Sequence, residues 1–252
     1  MICRGGGTGR RAGLRTLCPQ GRGGSTPLLG TLQMTKQQQR LIDKVAEIVK
    51  NRLNGESTGH DWWHVYRVWR MARHLNAKEN ANGYVVELAS LLHDIADWKF
   101  NNHDESVGPQ VAKKILQELH IEEMVIDQVC EIVGTISFIG SGEKNRMRSL
   151  EGMIVQDADR LDAMGAVGIA RTFAYGGYAH RQLYDPLLKP SLHQNKQEYK
   201  NNTSPSINHF YEKLLLLKDR MNTATGRMIA ESRHAFMEQY LNQFYAEWDG
   251  MR

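Results

Sequence analysis

No stretch of this 252-residue chain approaches the eighteen or so consecutive apolar residues of a membrane-spanning helix, so no membrane partner is expected. Cysteine is scarce. Two of the three, Cys3 and Cys18, fall in the first 33 residues, which leaves Cys130 alone in the rest of the chain. There is no C-x-x-C pair and no disulfide framework, and a reducing compartment fits best. Acidic residues are missing from residues 1–33, which instead hold five arginines (Arg4, Arg10, Arg11, Arg15, Arg22) and nine glycines. The formal net charge of +4, less those five charges, leaves −1 for the remainder. The basic balance therefore belongs to the first segment, and the rest of the chain exerts no net pull toward nucleic acid. Missing too are any internal repeat and any five-residue alternation that demands a strand.

Residues 1–33 are arginine-rich and acid-poor, as an organellar presequence should be, yet nine glycines would break an amphipathic helix and serine is scarce. The segment reads as a disordered tail or as a leader upstream of a start at Met34, and it is left out of the fold. A cytoplasmic location follows, with a mitochondrion or another organelle as the alternative if the segment is a presequence. Residues 34–252 read as a single domain.

What is present from Met34 onward is helical spacing almost throughout. Val45, Ile48, Val49 and Leu53 mark one amphipathic helix, and Val65, Val68, Trp69 and Ala72 a second, with Ser57-Thr58-Gly59 offering capping chemistry before it. A third runs from about Tyr84 to Asp97 and is apolar round most of its circumference. Further helices are expected near Val107–Leu119, Glu122–Ile136, Leu150–Met164, Ile207–Met221 and Thr223–Trp248. The fold class is all-α. The stretch Ala179–Pro205 is polar, holds three prolines and shows no period, which suits a lid or binding loop. The Gly176-Gly177 pair before it is a candidate hinge.

On the third helix the polar residues share one arc of about 120°, at about 100° per residue: His93, Asp97, Ser90, Asp94 and Glu87. The arc has no Lys, Arg, Gln or Asn. One imidazole and three carboxylates repel one another unless a cation sits among them, although a solvated face is the simpler alternative. His64 lies within about 40° of Val68 and Met71 at the edge of its helix's apolar stripe, where a satisfied core histidine is the common case. His60, one turn earlier, is a second ligand by spacing, or else marks a helix start with Asp61 as cap. In Gln156-Asp157-Ala158-Asp159-Arg160-Leu161-Asp162, three acids interrupt an apolar helix and call for pairing or metal. Asp157 and Asp159 lie about 200° apart, so both cannot face one ion, and periodicity does not choose between them.

The ordered set His64, His93-Asp94, Asp159 over three helices resembles the H…HD…D signature of the HD-domain superfamily. The strings His60-Asp-Trp-Trp-His64, Asp97-Trp-Lys99-Phe100, Asp157-Ala-Asp159-Arg-Leu-Asp162, Thr172-Phe-Ala-Tyr175-Gly-Gly177 and Asn208-His-Phe-Tyr-Glu212 are similar to its stand-alone YedJ-like branch. The resemblance runs from about Thr35 to the C-terminus. It implies an HD-domain helical bundle with a core at about residues 57–165, a long loop at 179–205 and extra C-terminal helices at 206–248. It also implies a metal-dependent phosphohydrolase whose ion is held by His64, His93, Asp94 and Asp159. That donor set has nitrogen and oxygen but no thiolate, which favours Mn²⁺ or Mg²⁺, with Co²⁺, Ni²⁺ or Fe as alternatives.

The remaining roles follow from that reading. Asp97 is the candidate general base or water-orienting acid, with a capping carboxylate as the alternative. Arg67 and Lys99 are candidates for substrate oxygens, His103 for substrate contact or capping, and Tyr175 for stacking on a base. The resemblance favours nucleotides as substrates, in particular nucleoside triphosphates cleaved to monophosphate and pyrophosphate, by water attack on phosphorus. The Gly-Tyr-Pro companion of cyclic-dinucleotide phosphodiesterases is absent. Trp98 after Asp97 breaks the paired acids of alarmone hydrolases. The alternatives are a module that binds metal or nucleotide without turnover, or an esterase acting on another phosphoester. The long C-terminal amphipathic helices offer a surface for a homodimer.

Overall fold

Helix-capping chemistry and apolar stripes account for most of the observed elements. The structure, a computed structural model, describes residues 34–53, 61–96, 106–136, 147–191 and 204–251, which all belong to one compact unit spanning Leu32–Arg252. Helix α1 (Lys36–Arg52) opens with a reciprocal cap. Thr35 Oγ1 accepts from the Gln38 amide at 3.1 Å, and Gln38 Oε1 accepts from the Thr35 amide at 2.9 Å. Its buried stripe is Ile42, Val45 and Val49. Helix α2 (Trp62–Glu79) is capped by Asp61, whose carboxylate accepts from the His64 amide at 2.9 Å. Ser57-Thr58-Gly59 and His60 lie outside the described residues. Asn80, in the left-handed region at φ 59°, ends the helix.

Helix α3 (Gly83–Leu92) is the core of the bundle, with every residue from Tyr84 to Leu92 buried. It packs on α1, on α2 and on two later helices, α5 (Glu123–Thr135) and α6 (Leu150–Asp162). Burying one leucine or valine contributes about 1.5–3 kcal/mol, so Leu88, Leu91 and Leu92, each fully buried, anchor the domain. The expected continuation to Asp97 does not occur in the described part. Residues 93–96 form turns, with the Ile95 amide donating to the Leu92 carbonyl at 3.2 Å. At this helix end the His93 ring meets the Ser90 carbonyl at 2.8 Å.

Helix α4 (Val107–Glu118) pairs with α5. Helix α6 starts at Ser149, whose hydroxyl accepts from the Gly152 amide at 3.2 Å. After it comes α7 (Gly165–Tyr178), which apolar spacing did not announce. The chain turns into α7 through Gly165 at φ +70°, a conformation that glycine adopts without steric cost. The candidate hinge at Gly176-Gly177 is instead part of this helix. Gly176 is buried, and a Cβ there would stand 2.1 Å from Ser206 Oγ.

The expected helix at Ile207–Met221 divides into α8 (Asn208–Glu212) and a 3-10 helix (Leu214–Arg220). Helix α9 (Ala224–Trp248), capped by Thr223, closes the bundle on α7, α6 and α2. The described parts of the polar stretch 179–205 are tied back at their ends. Ser191 N and Ser204 Oγ both donate to the buried Glu212 carboxylate, at 3.2 Å and 2.9 Å. No strand occurs among the described residues, so the all-α class stands. Among them, too, no helix is long and apolar enough to cross a membrane.

Candidate metal centre

Two helices and one turn bring the expected ligands together. α2 supplies His64, the turn after α3 supplies His93 and Asp94, and α6 supplies Asp159. His64 Nε2 lies 3.1 Å from Asp94 Oδ2, 3.2 Å from His93 Nε2 and 3.5 Å from Asp159 Oδ1. His93 Nε2 lies 3.5 Å from Asp94 Oδ2 and 3.9 Å from Asp159 Oδ1. His64, His93 and Asp94 each bring one ligand atom within 4.8 Å of the others. Adjacent ligands of an octahedral ion with bonds of about 2.1 Å stand about 3 Å apart, so the spacing fits a single divalent cation. The imidazoles are buried, whereas the Asp94 and Asp159 side chains are 18% and 36% exposed.

The other ring nitrogens explain why the Nε2 atoms face inward. His93 Nδ1 meets the Ser90 carbonyl at 2.8 Å, and His64 Nδ1 meets Asp162 Oδ2 at 2.8 Å. A carbonyl and an ionised carboxylate can only accept, so both Nδ1 atoms carry hydrogen, and in the neutral rings both Nε2 atoms present lone pairs. Two lone pairs 3.2 Å apart repel unless a cation lies between them. Burial alone would lower the His64 imidazole, but its hydrogen bonds to Asp162 and Asp94 outweigh burial and push it up to about 9. Without an ion the donor set draws in a proton, which is the behaviour of a site suited to a cation.

Asp162 is the densest node nearby, and sequence reasoning gave it no role. Burial would raise its carboxyl, yet hydrogen bonds from His64 and Arg67 hold it well below the usual carboxylate range. Arg67 donates through Nε at 2.7 Å and Nη2 at 3.0 Å, and Arg171 of α7 donates through Nη1 at 2.8 Å. Arg67, expected at substrate oxygens, thus has two of its donors on Asp162. A signal for Asp162 existed, since it follows Asp159 by one helical turn. Arg171 sits on the helix that periodicity did not announce.

Packing turns Asp157 and Asp159 toward different neighbours. Asp157 is fully buried and faces the start of α9, where it accepts from the Asn222 amide at 2.9 Å, the Thr223 amide at 2.8 Å and the Thr223 hydroxyl at 2.8 Å. Asp159 faces the imidazoles. Glu87, part of the polar arc on α3, does not join the cluster. It accepts from Trp69 Nε1 at 2.8 Å and pairs with Arg73 at 3.5 Å, and burial pushes its carboxyl up. Arg160 donates to the Arg220 carbonyl, and burial lowers its guanidinium to about 10. Tyr175 is 41% exposed, with the Tyr178 ring 6.3 Å away and the Arg181 guanidinium 5.6 Å from its centroid. Asp97, Lys99 and His103 lie outside the described residues.

Comparison with known proteins bears on this geometry. The HD domain family profile matches residues 62–164. A Bacillus subtilis (strain 168) protein, YpgQ, described as uncharacterized, is 36% identical over 83% of this chain and 94% of its own. The crystal structure of an HD-superfamily hydrolase from Bacillus thuringiensis is 44% identical, covers 84% of this chain and 98% of its own, and superposes with a TM-score of 0.67. Bacillus subtilis YpgQ in complex with ADP is 35% identical, with 84% and 96% of the two chains covered and a TM-score of 0.64.

Proposed function

The chain belongs to the HD-domain family of metal-dependent phosphohydrolases, and from that premise we propose that it hydrolyses nucleotides, with nucleoside triphosphates cleaved to monophosphate and pyrophosphate as the favoured reaction. The observation that carries the reading is the convergence of two Nε2 lone pairs and two partly exposed carboxylates on one point. His64, His93, Asp94 and Asp159 would hold the ion, and their mixed nitrogen and oxygen donors favour Mn²⁺ or Mg²⁺. When bound, a divalent ion supplies Lewis acidity toward a phosphoryl group and lowers the pKa of water.

The chain's own residues divide the remaining work. The exposed edges of Asp94 and Asp159 set the side from which a phosphate approaches. Asp97, three residues after Asp94, is the proposed base that orients and deprotonates the attacking water. Lys99 and His103 are the proposed contacts to phosphate oxygens, and Arg67 can add its outer edge while it holds Asp162. Tyr175, exposed beside Arg181, is a platform on which a base can stack. The ADP bound by YpgQ supports a nucleotide, since a close relative then accommodates base, ribose and two phosphates together.

The test uses the full chain, stripped of metal and then supplied with Mn²⁺ or Mg²⁺. A panel of nucleoside tri-, di- and monophosphates and cyclic nucleotides is offered, with products identified by phosphorus NMR and Asp94→Ala alongside. Metal-dependent release of pyrophosphate from triphosphates, reduced at least about 10³-fold in Asp94→Ala, is expected. Release of orthophosphate instead would redirect the reading to a phosphomonoesterase. No turnover with metal bound would leave a nucleotide-binding module.

A further inference from the structure

We propose that Asp162 is the positioning residue of the metal centre, and that Arg67 acts on the ion through Asp162 rather than on substrate alone. The inference rests on the reading of His64 as a ligand and deepens it. A ligand histidine must present one bare nitrogen in a fixed direction, and its other nitrogen decides both tautomer and ring angle. For His93 that second contact is a main-chain carbonyl of its own helix end, only three residues away. For His64 it is a side chain 98 residues away in sequence, so its orientation depends on something that must itself be held.

Asp162 is held by charge and by geometry. Its two oxygens accept four donors: His64 Nδ1 and Arg67 Nη2 on one oxygen with Arg171 Nη1, and Arg67 Nε on the other. The forked pair from Arg67 fixes the plane of the carboxylate, which a lysine at that position could not do. Arg67 leaves α2 one turn after His64, so the same helix carries both the ligand and the clamp on the ligand's partner. Arg171 brings α7 into the node, which ties α2, α6 and α7 at the point where the ligand is aimed. A carboxylate placed merely to join helices has no need of the imidazole, and one placed merely to orient the imidazole has no need of two guanidiniums. The combination sets His64 firmly enough to serve an ion.

The experiment uses full-length, metal-stripped protein titrated with Mn²⁺, with free ion counted by electron paramagnetic resonance. In parallel, the Zn²⁺-loaded protein with ¹⁵N-labelled histidine reports ring tautomers by NMR. Wild type should show His64 as the Nδ1–H form with a slowly exchanging, downfield proton. Asp162→Asn should weaken Mn²⁺ binding about 10–100-fold, and Arg67→Gln several-fold, each with its melting temperature recorded. If Asp162→Asn melts earlier yet binds Mn²⁺ within about twofold of wild type, Asp162 only joins helices and the proposal is overturned. Arg67→Gln that raises KM for a nucleotide without moving the Mn²⁺ affinity overturns the assignment of Arg67. Should Asp162→Asn not fold, the wild-type Nδ1–H resonance and Arg67→Gln decide the question. Wild type that takes up no Mn²⁺ would overturn the metal-centre reading itself, a different failure from unchanged variants.

Discussion

Asp157 and Asp162 stand five residues apart on the same helix and are both buried, yet their surroundings make them opposites. Among the described residues the hydrogen-bond donors to Asp157 are uncharged, two amides and the side chains of Asn222 and Thr223, and burial pushes its carboxyl up although these donors and the charge of Arg160 oppose it. Asp162 meets an imidazole and two guanidiniums, and these overcome the same burial cost and hold it well below the ordinary range. Burial therefore does not by itself decide how a carboxylate behaves; the formal charge of its donors does. One of these acids fastens α9 to α6, and the other backs the His64 ring from its Nδ1 side.

That contrast can be broken by substitution. The largest stability loss is expected for Asp157→Ala, which leaves the Asn222 and Thr223 amides at the start of α9 without their acceptor. The loss should be about 3 kcal/mol, or roughly 6–12 °C in melting temperature, with Mn²⁺ affinity unchanged in the folded fraction. Equal damage to metal binding in Asp157→Ala and Asp162→Asn would erase the distinction drawn between them.

Acidity sharpens it next. His64 is raised from 6.5 to about 9 in the metal-free protein, so its protonated form adds stability in full below about pH 6.5 and loses it as pH rises through about 9. Metal-free protein should thus lose several degrees of melting temperature between pH 7 and 9.5 relative to metal-loaded protein. Across pH 6–8 each ion should displace close to one proton, so Mn²⁺ affinity should rise by up to about tenfold per pH unit. Calorimetry in buffers of different ionisation enthalpy counts that proton, and a count near zero would refute the prediction. The smallest effect belongs to a third buried acid. Trp69→Phe removes the indole donor from Glu87 at a cost of about 1 kcal/mol, and Mn²⁺ titration should read no change.

Much of this architecture was legible in residue order, and the exceptions have causes. The stripes of α1, α2, α4 and α5 were readable because each of these helices has one buried face and one wet face. Helix α7 was not, because Gly165, Gly168, Gly176 and Gly177 each lower intrinsic helicity by up to about 1 kcal/mol relative to alanine. Packing on α9 and the close approach of Ser206 to Gly176 supply what propensity lacks. Glu87 shared an arc with His93, but α3 is enclosed on all sides, so a shared arc there does not mean a shared destination.

Residue order was sufficient for the helical class and for the kinds of donor present, two imidazoles and several carboxylates with no thiolate among them. Helical spacing was insufficient to say which acid of Asp157, Asp159 and Asp162 faces the imidazoles, which meets the α9 cap and which takes the guanidiniums; the family resemblance alone singled out Asp159. The reason is geometric. Periodicity states how side chains are spread around a helix's own axis, to within the angle between neighbours. Where that axis lies against α2, α7 and α9 is set by the packing of the whole bundle, and only there does each angle acquire a partner.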